Sequence, residues 1–113
     1  IYGTSSARMV KLAKVTKTYS NIHWSNRIHI YDLANFLAHL LHVEHPEKSY
    51  ICTNNQPQPL HEMILKIQRD LNLPELVLQS QNETGKKIFA DNMVKSGYKL
   101  KHDSCLLDYR KLL

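Results

Sequence analysis

The amino-acid sequence predicts an α/β domain, helices joined by a few short strands, in one unit over all 113 residues. Two patterns and their punctuation predict it. Leu33, Phe36, Leu37, Leu40 and Leu41 recur at the spacing of one helix face, the strongest amphipathic pattern in the chain. Short β-type runs, Arg27-Ile28-His29-Ile30 and Ser49-Tyr50-Ile51-Cys52-Thr53, alternate with such helical stretches. Turn formers at Asn54-Asn55-Gln56-Pro57, Pro74 and Gly97 separate them.

In chain order, Met9, Leu12, Ala13 and Thr16 repeat at helical spacing, which predicts a helix from Ser5 or Ser6 to Lys17. Lys11, Lys14 and Lys17 fall on its other side. Residues 19–25 lack a period and read as a loop carrying His23 and Trp24, with Trp24 expected to close the core. The alternation at 27–30 reads as a strand. Asp32 then caps the leucine-rich helix, its carboxylate accepting from the first-turn amides. His45-Pro46 ends that helix. Pro59 suits the first position of a third helix, whose apolar face is Leu60, Met63, Ile64, Ile67 and Leu71. Leu76-Val77-Leu78 and Lys87-Ile88-Phe89 read as extended pieces on either side of a polar loop at 79–85. Asp91 or Asn92 caps a short helix ending at Gly97, and Asp103 caps a last helix carrying Leu106, Leu107, Tyr109, Leu112 and Leu113.

A chain of this length buries roughly two-thirds of its unfolded surface. Apolar residues at 42% and charged residues at 22% lie in the globular range. No apolar run reaches the roughly 18 to 20 residues that span a bilayer, so no membrane partner is expected. Cys52 and Cys105 are far apart and in no metal spacing, which reads as two reduced thiols in the cytoplasm. The net charge of +5 raises the alternative of a small basic module binding nucleic acid or protein. No aromatic strand motif, zinc knuckle or recognition helix accompanies the lysines, which favours a solvated face.

Other constellations are incomplete. His39, His42 and His45 stand three apart, but the third lies past the helix end and no carboxylate or thiol completes a zinc set. His61-Glu62 lacks the second histidine of a zinc-protease helix, and Gly85-Lys86-Lys87 lacks the rest of a phosphate loop. No serine sits in a nucleophile elbow. No metal and no self-contained catalytic set are expected.

One resemblance covers nearly the whole chain. Ile1-Tyr2-Gly3 with Arg8, followed by Asn26-Arg27-Ile28-His29-Ile30-Tyr31-Asp32-Leu33-Ala34, resembles the C-terminal third of the extended short-chain dehydrogenase/reductases, the NAD-dependent epimerase/dehydratase family. That family carries a "(V/I)YGPGR" segment and then an "(R/N)xIHVxDLA" segment. Ser49-Tyr50-Ile51-Cys52-Thr53-Asn54 is similar to its late sheet strand, and Gln58-Pro59-Leu60-His61-Glu62 to the helix start after it. Thr84-Gly85-Lys86-Lys87, with Asn92-Met93-Val94-Lys95-Ser96-Gly97-Tyr98, resembles the "GKR…N…LGW/Y" region of a sugar-nucleotide-epimerase-like subgroup.

The resemblance implies an incomplete Rossmann-type fold: a substrate-binding lobe over residues 1–113, with the N-terminal dinucleotide-binding domain absent. The glycine-rich loop and the Tyr-x-x-x-Lys pair of the family lie upstream of its "YGPGR" segment, and this sequence has neither. It therefore implies no cofactor in this piece, NAD or NADP in an intact parent, and a small polar substrate such as a nucleotide sugar. "GPGR" has become Gly3-Thr4-Ser5-Ser6-Ala7-Arg8, and Ser25 stands where many nucleotide-sugar epimerases have an arginine. Arg8 and Arg27 are the candidate anion contacts, because guanidinium forks match phosphate and carboxylate. His29 and Lys86 are further substrate-binding candidates, His29 also reading as a hydrogen-bonded structural imidazole. Asp32 is the structural cap. A lobe lacking its companion sheet is expected to expose apolar faces around Tyr50, Ile51 and the Asp32 helix, and to self-associate.

Overall fold

The computed structural model describes residues 1–3 and 8–111. Its elements are α1 (Arg8–Val15), β1 (Thr18–Tyr19), β2 (Ile22–Ser25), α2 (Ile30–Leu40), β3 (Gln58–Pro59), α3 (Leu60–Asp70), β4 (Val77–Leu78), β5 (Glu83–Gly85), α4 (Asp91–Lys95) and α5 (Cys105–Lys111). The expected mixture of helices and short strands is what the chain forms. The start of the first expected helix, and Leu112 and Leu113 of the last, lie outside the described residues.

The strands pair across long stretches of sequence. β1 runs parallel to β4, and β2 lies between antiparallel β3 and parallel β5. A further extended segment carries the centre of the molecule. Tyr2 bridges His29 in parallel: its amide donates to the Ile28 carbonyl and its carbonyl accepts from Ile30 N–H. On the other side the Asn54 amide donates to the Arg27 carbonyl at 2.7 Å. Side chains along an extended segment alternate. Ile28 therefore enters one core, with Phe36, Ala90 and Met93, while Arg27 and His29 face the other. That other core joins α1, α3 and α5 through Tyr2, Met9, Ala13, Met63, Ile64, Ile67, Leu76, Cys105 and Tyr109.

Several local expectations are corrected. The residues expected to loop at 19–25 contain β2, because His23 and its neighbours pair with Thr84 and the rest of β5, themselves in the expected polar loop. The runs at 49–53 and 87–89 form no strand: apart from the Asn54 bond the first has no ladder partner, although Tyr50 and Cys52 pack on the second core. Trp24 is not core. Its indole N–H donates to Glu83 Oε1 at 2.9 Å, and the Lys87 ammonium sits 4.1 Å above its ring. Pro59 precedes α3 rather than opening it, and Ala90, not Asp91 or Asn92, precedes α4. Gly97 does follow α4 with φ of +91°, where an L side chain would be strained.

Asp32 is not the cap of α2. The helix starts two residues earlier, and the capping side chain is His29, whose Nδ1 accepts from Tyr31 N–H at 3.0 Å. Asp32 instead has no exposed surface and holds a distant segment.

A buried amide does comparable work beside the first core. Gln68 donates from Nε2 to the carbonyls of Ala13 and Thr16, and accepts at Oε1 from Leu76 N–H. It closes the end of α1 and sets where the chain leaves α3 for β4.

The leucine-rich face of α2 is only partly core. Phe36 is 1% exposed, whereas Leu37 and Leu41 are 55% and 85% exposed. Phe36→Ala should therefore cost about 3–5 kcal/mol, and Leu37→Ala less than about 1 kcal/mol, in urea melts. Equal losses at the two positions would contradict this packing.

Candidate functional site

Two of the candidate residues, Arg8 and Arg27, meet at one cleft. Arg8 opens α1 on the exposed side, and Arg27 comes from the extended segment between β2 and α2. With Ile1, Tyr2, Met9, Leu12, Leu60 and Tyr109 they line a cavity of about 230 Å³. The Arg27 guanidinium donates from Nη1 to the Tyr109 hydroxyl at 3.2 Å and from Nη2 toward Met9 Sδ at 3.8 Å. Its Nε is buried without a partner, and among the described residues no carboxylate lies within ion-pair distance of Arg27 or Arg8. A guanidinium held by a phenol and a thioether keeps its charge unbalanced, which suits an anion.

His29 lies on the far side of Tyr2, in a smaller cavity of about 110 Å³ lined with Gly3, His102, Asp108, Tyr109 and Lys111. Lys86 lines neither cavity. It is exposed just after β5, and its carbonyl accepts from Asn26 Nδ2.

A network that sequence reading did not find ties these walls together. Tyr2 donates its hydroxyl to Asp108 Oδ2 at 2.6 Å, and His102 Nδ1 faces Asp108 Oδ1 at 3.1 Å. The His102 ring stacks on His29 with centroids 3.7 Å apart and planes 9° from parallel. Asp32 accepts from Tyr98 O–H (2.7 Å), Lys101 N–H (3.0 Å) and His102 N–H (2.8 Å), placing His102 over His29. Nothing in local periodicity marks these partners, because each pair is joined across 60 or more residues except His102 and Asp108. The one available signal was Asp32 itself, an acidic residue on the apolar side of a helix.

The electrostatics follow from burial. Burial and the bond to Asp108 push the Tyr2 hydroxyl far above its ordinary range. Burial, then His102, hold the His29 imidazole below its ordinary 6.5. Burial alone would raise Asp32, but its three hydrogen bonds outweigh that and hold it below 3.8. Burial raises Tyr109 and Cys105, and the Arg27 charge partly opposes it at both.

No family model matches the sequence and no curated protein does. Among solved structures the chain is similar to that of a provisionally named NAD-dependent epimerase/dehydratase from Methylobacillus flagellatus, with a TM-score of 0.75 and 26% identity. The fold matches part of an epimerase/dehydratase. The resemblance read from the sequence thus holds in three dimensions, over 98% of this chain. The chain spans 42% of that structure, less than half its length. Among the described residues, no helix is long and apolar enough to cross a membrane.

Asp32→Ala would leave two part-buried backbone amides and a phenol without their acceptor. The expected cost is roughly 3 kcal/mol or more, above the roughly 1 kcal/mol typical of a lost cap. Because the folded state holds Asp32 below its ordinary 3.8, its contribution is present above that pH and is lost as pH falls through the lower folded value. Acid titration of folding stability in wild type and Asp32→Ala checks both. A difference between them that stays constant down to about pH 2 would contradict the assignment.

Proposed function

We propose that the chain is the substrate-binding lobe, over residues 1–113, of an NAD(P)-dependent epimerase/dehydratase-like oxidoreductase of the extended short-chain dehydrogenase/reductase kind. Its substrate is a nucleotide sugar or a similar small polar molecule bearing phosphate, and the parent works in the cytoplasm. The observation that carries this reading is the cleft shared by Arg8 and Arg27, with the Arg27 charge unbalanced. The likeness to an epimerase/dehydratase supports the family.

The cleft is small beside typical ligand pockets of about 300–1,000 Å³, so it takes a phosphate group rather than a whole nucleotide sugar. Arg27, oriented by the Tyr109 hydroxyl, and Arg8 at the rim would hold that phosphate and leave the sugar to a neighbouring surface. In this reading the dinucleotide is held by a companion domain. The strand ending at Gly85 leads into irregular chain rather than directly into a helix, and α2 and α3 begin without a glycine-rich turn. Tyr2, tied to Asp108, is a poor base. Hydride transfer and proton abstraction would then belong to a companion domain, and the lobe alone would be non-catalytic.

The shape supports a lobe that needs such a companion. The radius of gyration is 15.9 Å, where a compact chain of this length has about 13 Å. The shortest extent is 15 Å, little more than one helix diameter of about 10–12 Å. Such a slab leaves Leu37, Leu41, Ile51 and Phe89 exposed.

Calorimetric titration with uridine diphosphate tests the reading. Wild type should bind, and Arg27→Gln and Arg8→Gln should each weaken binding roughly 10-fold or more, as expected for a lost charged contact. Unchanged affinity in both variants would sink it, while micromolar binding of NAD or NADP would overturn the lobe assignment. Light scattering and hydrophobic-dye fluorescence should show self-association rising with concentration. A dye-silent monomer at high concentration would show that the slab closes its own core.

A further inference from the structure

We propose that the stacked rings of His29 and His102 form a one-proton latch that keeps residues 101–111 closed against the Arg8–Arg27 cleft, and that charging both rings opens it. The control of the cleft rests on the anion-binding reading above; the latch does not.

His29 Nδ1 accepts from Tyr31 N–H, so the neutral ring carries its proton on Nε2 and a second proton on Nδ1 destroys the cap of α2. His102 Nδ1 faces Asp108, so a proton there meets a carboxylate. Two imidazolium rings stacked face to face would repel each other with little water between them. The stack therefore tolerates one charge but not two.

The groups facing the pair come from every element around it. They are Tyr2 from the N-terminal segment, Tyr31 and Asp32 from α2, Lys101 beside Tyr31, and Asp108, Tyr109 and Lys111 from α5. Asp32 and Asp108 bond His102 or its backbone, but neither hydrogen-bonds the His29 ring. Their charges still favour a proton on His29, but burial and the His102 ring outweigh them, so second protonation is compensated only in part at the more buried ring.

His29, His102 and Asp108 also offer three donor atoms within 4.8 Å of one another, the spacing of a metal site. The stack argues against that use. Imidazole lone pairs lie in the ring plane, and two rings stacked face to face, with centroids 3.7 Å apart and planes 9° from parallel, cannot both hold in their planes one ion about 2 Å from each nitrogen. The geometry suits a proton.

The consequence reaches the cleft through α5. Asp108 holds Tyr2, and Tyr109 holds the Arg27 guanidinium, so release of residues 101–111 removes one wall and one orienting partner.

The test uses the full chain, labelled for NMR, at about pH 7.5 and about pH 5.5, a window in which histidines titrate and carboxylates stay charged. Amide-exchange protection of Lys101 and His102, referred to unprotected-peptide rates, should fall severalfold in wild type, up to about tenfold, the limit for one proton over one pH unit below 6.5. Affinity for inorganic sulfate, whose charge is constant in this window, should fall in step. His29→Asn keeps an N-capping oxygen but cannot charge, and His102→Phe keeps a stacked ring. Both should abolish the pH response, with near-ultraviolet circular dichroism confirming their fold; should His102→Phe fail to fold, His29→Asn decides. Constant protection in wild type, or an equal fall in His29→Asn, overturns the latch. Sulfate binding that ignores an opening latch overturns its control of the cleft. Absence of sulfate binding at both pH values, with protection still falling in wild type alone, overturns the anion reading and leaves the latch standing.

Discussion

One carboxylate sets the geometry on which the rest depends. Asp32 is fully buried, and it bonds a phenol and two successive backbone amides from a segment about 70 residues away. A buried charge is tolerated only where hydrogen bonds replace the lost water. Here those donors also fix the path of residues 98–102. That path delivers His102 to His29, and then Asp108 and Tyr109 of α5 to Tyr2 and Arg27. The C-terminal strap and the N-terminal segment are brought together by a residue that belongs to neither.

The second constraint is the extended segment at 27–29. It has Tyr2 on one side and Asn54 on the other, and its alternation sends Ile28 to one core and its neighbours to the other. Two cores on opposite faces of a narrow segment give a slab rather than a sphere. The same alternation puts a guanidinium and an imidazole on one side, separated by the Tyr2 and Tyr109 rings. The cleft and the histidine stack are therefore mechanically joined while remaining chemically distinct.

Polar groups in this region are paired unevenly. Acidic Asp108 is consumed by Tyr2 and His102, and acidic Asp32 by Tyr98 and backbone. Arg27 is left with neutral partners. With both nearby carboxylates bonded elsewhere, the Arg27 charge has no acidic partner among the described residues, and Tyr2 is held well away from ionising.

Much was legible in the residues alone: the α/β class, the helices at α2 and α3, and the family resemblance. These are local signals, carried by helical periodicity, short sequence motifs and a left-handed glycine at Gly97. Tertiary structure decided what depends on distant partners. Trp24 went to the surface because Glu83 and Lys87 meet it there. The run at 49–53 stayed irregular for want of a ladder. Leu37 and Leu41 stayed exposed because no element among the described residues covers them. Asp32 could be read as a helix-starting residue, but its two amides and its phenol lie at 98–102, and no spacing in the sequence encodes that meeting. A local pattern specifies which face is apolar or which atom can donate; only the folded chain specifies what stands opposite.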